Sequence, residues 1–209
     1  MKKRTFEFLG RRVILAALVL SGMAIFAVSC QKDDFRAKGD FGRPESSFNE
    51  TADLKRAPAP GDASIAEIAI GAGFDELVGA LVYVDNELEA GLVDLFLNGT
   101  DQYTVFAPTD EAFEGLYGFL GIDGITDLPA ELVLDVLFYH VVEGRRSANS
   151  VVPPVRTRTI TTLLGATFSV DRSGVITDIA GQKANIVAAD ISASNGIIHV
   201  IDTVILPLD

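Results

Sequence analysis

The chain has one cysteine, Cys30, two histidines and no tryptophan in 209 residues. A single thiol excludes an intrachain disulfide. His140 and His199 lie far apart, with no H-E-x-x-H pair and no second cysteine, so the usual four-ligand zinc site has too few donors. A Gly-x-Ser-x-Gly elbow and phosphate-cradling glycine loops are also missing, and with them the common hydrolase and nucleotide-binding frames. Neither catalysis, a cofactor nor a metal is expected. Basic residues are scarce, 17 against 29 acidic ones, and such a field repels phosphate backbones. Nucleic-acid binding is therefore disfavoured.

Long apolar runs are equally scarce. One covers residues 13–28, interrupted by Ser21 and Gly22 and preceded by Lys2, Lys3, Arg4, Arg11 and Arg12. Its length falls short of the roughly 20 residues that cross a bilayer. Positive, then apolar, then small residues is the order of an export signal, assigned here to residues 1–29. Ala27-Val-Ser-Cys30 resembles a bacterial lipobox, which makes Cys30 the expected lipid attachment site. Several acyl chains on one cysteine hold a protein stably at a membrane. Gln31-Lys-Asp-Asp34 resembles the surface-export signal of Bacteroidetes lipoproteins. Removing residues 1–29 leaves 12 basic and 28 acidic residues, a formal charge of −16.

Residues 30–61 are polar, carry no sustained periodicity and end in Ala57-Pro-Ala-Pro-Gly61, the composition of a flexible tether. From residue 62 to 209 the text becomes that of one folded domain. Ser64 is placed to cap a helix that Gly71-Ala-Gly73 ends, and two further apolar stripes follow, the last stopped by Asn98-Gly99. Residues 102–106 read as a strand broken by Pro108. Thr109 caps the next helix, with Asp110 and Glu111 in its first turn. Phe113, Leu116, Phe119 and Leu120 are expected to face inward. Pro129 begins a buried helix running to about Val141. β-type runs follow at residues 158–163, 166–170, 184–189 and 197–206, with turns at 171–174 and 179–182. Helices first and strands later make an α+β domain.

Three segments carry a family likeness: Tyr103-Thr-Val-Phe-Ala-Pro-Thr-Asp-Glu-Ala-Phe113, Phe138-Tyr-His-Val-Val-Glu-Gly144, and Asn195-Gly-Ile-Ile-His-Val-Ile-Asp-Thr-Val-Ile-Leu-Pro207. In order and spacing they resemble the first box, the Tyr-His motif and the second box of a fasciclin (FAS1) domain. That resemblance implies a wedge-shaped β core with helices around it and an adhesion module rather than an enzyme. By the same resemblance Tyr139, His140, Asp190 and Ile191 stand where animal relatives engage integrins. Thr109, Asp110 and His199 read as structural, His199 because strand alternation puts it on one face with Ile197 and Ile201. His140, ending its helix, is expected to be imidazolium-like and to bond the corner at Thr109 and Asp110.

The expectation is a monomeric lipoprotein at the outer membrane, facing outward and touching the membrane only through its anchor. Its partner would be an extracellular protein or glycan. The alternative is an accessory carrier of a small apolar molecule or glycan, which would require a pocket lined by convergent side chains.

Overall fold

The computed structural model describes residues 58–208. The export signal, Cys30, Gln31–Asp34 and the tether up to residue 57 lie outside the described residues.

Three helices open the fold: α1 (Ile65–Ala72), α2 (Asp75–Leu88) and α3 (Leu92–Asn98). Ser64 starts α1 through a reciprocal box: its hydroxyl accepts from the Glu67 N–H, and the Glu67 carboxylate accepts from the Ser64 N–H at 2.8 Å. Gly73, at φ 76°, closes the helix by donating to two of its last carbonyls. The start of α3 is capped from a distance, with the two Asp85 carboxylate oxygens accepting from the N–H groups of Leu92 (2.7 Å) and Val93 (2.8 Å).

β1 (Tyr103–Pro108) leads into α4 (Asp110–Leu120), a 3-10 turn and α5 (Ala130–Tyr139). Pro108 does not break β1. It stays in parallel register with Ile201, since a strand's last residue can lack an N–H and keep its place. Phe113 and Leu116 are buried as expected from the periodicity, but Phe119 is 83 % exposed and Leu120 41 % exposed. Helix α5 ends two residues earlier than its apolar run suggests, because Val141 is drawn into β2 (Val141–Glu143) beside β1.

After the short α6 (Ala148–Val151) come β3 (Arg158–Thr161), β4 (Thr167–Val170), β5 (Val175–Thr177), β6 (Lys183–Ala193) and β7 (Gly196–Ile201). β2 and β5, three residues each, escape sequence periodicity because so short a run has no measurable period. The strands form one sheet in the order β2-β1-β7-β6-β5-β4-β3, parallel only between β1 and β7. Register shifts on either side of Ala188 bend β6, which pairs with β5 near its start and with β7 along its length.

Strand alternation divides the interior. Val105, Ala107, Ile198 and Val200 face the helices and join their apolar faces in one core. Phe106 and Ile201 face the other way and pack with Tyr139, Ile160, Phe168 and Ile176 in a second core. Helices around a mixed sheet make this an α+β fold.

Candidate functional site

The signature segments meet around β1 and β7. At the corner between β1 and α4, the Thr109 hydroxyl accepts from the Ala112 N–H at 3.3 Å and so caps its own helix. Asp110 reaches outward instead: its Oδ1 accepts from the Glu76 N–H at 3.0 Å, capping α2. Tyr117, one helix face along, donates its hydroxyl to Glu76 at 2.6 Å. Burial and that carboxylate keep the phenol protonated far above its usual range.

Tyr139 and His140 offer a partner almost no surface, being 0 % and 3 % exposed. The Tyr139 hydroxyl donates to the Thr167 carbonyl at 2.9 Å, and burial pushes its pKa up to about 12. The His140 ring does not bond to Thr109 or Asp110. Its Nδ1 lies 2.7 Å from the Val136 carbonyl, and its Nε2 accepts from the Ile205 N–H at 3.2 Å. One nitrogen donating and the other accepting is the neutral ring. Complete burial lowers its pKa to about 4, which reverses the expected imidazolium. Enclosure in an apolar core outweighs the helix dipole there, because desolvation penalises the charged form most strongly.

His199 is also wholly enclosed. Its Nε2 donates to the Arg146 carbonyl at 2.9 Å and its Nδ1 accepts from the Asp190 N–H at 3.3 Å; burial lowers its pKa. Ile197 and Ile201, which share its face by strand alternation, are equally buried, and the residues of the opposite face are buried too, so the whole of β7 is interior. Asp190 and Ile191 lie inside β6, at its bulge, and not in a free loop. Asp190 adopts φ 61° and its carboxylate accepts from the Ala148 N–H at 2.8 Å, at the start of α6. Ile191 packs half-buried against the helical core.

Two side chains that sequence reasoning passed over tie these segments together. Asn195, buried at the β6–β7 turn, accepts from the Ile65 N–H at 2.9 Å and donates to the Phe96 carbonyl at 2.9 Å, joining α1 and α3 to the hairpin. The Asn-Gly pair signals the turn but not the reach of the amide. Arg145 makes six hydrogen bonds. They run to the carbonyls of Pro58 (3.0 Å), Ala59 (3.1 Å), Ala193 (2.9 Å) and Gly196 (2.5 Å), to Gln102 Oε1 (3.3 Å) and to the Ser192 hydroxyl. The Ser192 hydroxyl in turn donates to the Ala59 carbonyl, and the Gly61 N–H donates to the Ala193 carbonyl at 3.2 Å. Pro58–Gly61, read from composition as tether, is thus docked on the folded part.

Among the described residues, no group of three or more His, Cys, Asp or Glu side chains is disposed to hold a metal ion. No described helix is long and apolar enough to cross a membrane. A cavity of about 100 Å³ lies between α2, α4, α5 and the C-terminal segment, lined by apolar side chains and His140, whose ring nitrogens are both engaged. A larger groove, about 620 Å³, opens on the surface between α4 and the segments 180–182 and 202–204. Glu111, Gly115 and Phe119 form one wall, with Gly181 and Asp202 opposite and Leu116 and Val204 beneath.

A family model described as the fasciclin domain matches residues 74–207. Protein sll1483 of Synechocystis is 34 % identical over 161 residues, covering 76 % of this chain and 81 % of that protein. Immunogenic protein MPB70 of Mycobacterium bovis is 35 % identical over 119 residues, 57 % of this chain and 56 % of its own length. Cell surface glycolipoprotein MPB83 of the same species is 37 % identical over 120 residues, 57 % of this chain and 49 % of its own. The chain thus spans about half the length of the mycobacterial relatives. With the model covering its three signature segments and most of its folded residues, this chain belongs to the fasciclin domain family.

Proposed function

We propose that this protein is a surface-displayed lipoprotein whose fasciclin domain binds a protein or glycan partner without catalysis. The supporting observation is that five polar side chains of the signature segments are committed to the fold. Thr109, Asp110, His140, Asn195 and His199 each bond backbone groups of this chain, so recognition falls to the exterior. In this reading residues 1–29 direct export and Cys30 carries the lipid. A tether leads to the docked Pro58–Gly61 segment, and the module acts as a monomer at the outer membrane, facing outward. The name of the mycobacterial relative, a cell surface glycolipoprotein, is in keeping with such a placement. The carrier alternative is weaker, because the cavity beside His140, about 100 Å³, is below the roughly 300–1,000 Å³ of small-molecule pockets, and the groove of about 620 Å³ lies open on the surface rather than enclosing a ligand.

Protease treatment of intact cells is the test of display. The domain should be shaved from the wild type, and Cys30→Ser should abolish both acyl labelling and retention on the cell. A domain protected on intact cells, or acyl labelling that survives Cys30→Ser, would overturn the placement. Loss of cell attachment to a protein- or glycan-coated surface on deleting residues 58–209 would support the binding role. Unchanged attachment would count against it.

A further inference from the structure

The groove beside α4 has features that the fold does not require. Phe119 is 83 % exposed at its rim, on a helix where Phe113, Leu116 and Tyr117 are buried and Leu120 is 41 % exposed. A solitary exposed aromatic needs no explanation, but Phe119 is not solitary. Across the groove stand Ala180 and Gly181, next to the half-exposed Ile179, and the floor carries Leu116 and Val204. Gly115 opens the same wall from within α4, where glycine is the poorest helix former after proline. A Cβ at Gly115 would meet nothing within 4 Å, so no neighbouring backbone demands glycine there.

Charge supplies the second observation. The lining residues include the carboxylates of Glu111 and Asp202 and no basic side chain. Asp202 is fixed in place by the Asn185 N–H (2.7 Å), the Asn185 amide (2.8 Å) and the Thr203 hydroxyl (3.1 Å), bonds that favour its charged form. Helix α4 adds Glu114 on its exposed side and has no Lys or Arg; the nearest cation in sequence is Lys183, just past the 179–182 turn. An apolar floor with an acidic rim is the complement of a chain that presents an apolar side chain flanked by bases. A glycan would ask for several free polar groups, and the Gln182 amide is already donating to the Val204 carbonyl at 3.1 Å.

We propose that this groove is the module's partner site, and that its occupant is a protein segment carrying an aliphatic or aromatic side chain between Lys or Arg residues. The proposal rests on the reading of the chain as a partner-binding module and names the place and chemistry of that binding. Phe119 packs against the apolar side chain, the open face at Gly115 admits it, and Glu111 and Asp202 meet the flanking cations.

A displayed library of random short peptides, selected against the purified full-length protein at low salt, tests it. Selected peptides should be enriched in Lys or Arg around one large apolar residue, and their binding should weaken as salt rises through screening of the exposed charges. Phe119→Ser, Glu111→Lys and Gly115→Gln should each lower affinity by about ten-fold or more, without lowering the melting temperature by more than a few degrees. Peptides without basic enrichment, or binding to all three variants as tight as to the wild type, would overturn the proposal. So would a glycan array on which the wild type binds and Phe119→Ser does not, when no peptide is enriched. Cells that lose attachment on deletion of residues 58–209 but keep it with Phe119→Ser and Glu111→Lys would reject the groove while sparing the adhesion reading.

Discussion

Protonating His140 would turn its Nε2 from an acceptor into a donor facing the Ile205 N–H. Its pKa of about 4 in the fold, against 6.5 for the free group, means that the folded state resists the proton. Stability from this group is therefore complete above pH 6.5 and is lost as pH falls toward 4, on the order of 3 kcal/mol in all. His199, lowered by burial as well, acts in the same direction. Urea unfolding midpoints should fall between about pH 7.5 and about pH 5. His140→Ala should flatten that fall and cost about 2–4 kcal/mol by leaving buried backbone groups without partners. An unchanged pH profile in His140→Ala would show that the ring does not carry the effect. The sequence marks His140 as the end of a buried helix but cannot choose its protonation state. That depends on Ile205, which is 65 residues away.

Among the elements, α4 and β6 separate what local pattern reveals from what it hides. The corner at Thr109 is legible because cap and capped N–H are three residues apart. The exposed side of α4 is not, since Phe119 fits an inward stripe in sequence and only the placement of neighbouring segments leaves it in solvent. Gly115→Ala should raise stability by about 0.5–1 kcal/mol, read in chemical denaturation, because the added methyl group meets open space. A loss of stability would mean that α4 needs glycine for its own folding. In β6, Asp190 holds φ 61° at the bulge and accepts from the start of α6. Asp190→Ala should cost about 1–2 kcal/mol and Asp190→Gly less, because glycine tolerates the left-handed backbone. Equal stability of both variants with the wild type would free Asp190 for a role in binding.

At the scale of the molecule, the Arg145 bonds make Pro58–Gly61 part of the domain. Two fragments, one beginning at Pro58 and one at Asp62, should therefore differ in melting temperature, the shorter being less stable by several degrees. Arg145→Lys should give a similar loss in the longer fragment and speed hydrogen exchange at the Gly61 N–H. One ammonium cannot replace a planar fork that reaches six oxygens. Equal melting of the two fragments would return the segment to the tether. The sequence by itself determined the family, the α+β class and the starts of α1 and α4, because capping, turn chemistry and apolar periodicity operate within a few residues. Only the tertiary structure decided which polar atoms meet: Asn195 with Ile65 across 130 positions, Arg145 with Pro58 across 87, and Phe119 with the opposite wall of a groove. Those pairings follow from the order of strands in the sheet and the bend in β6, and they have no signature in any window of neighbouring residues.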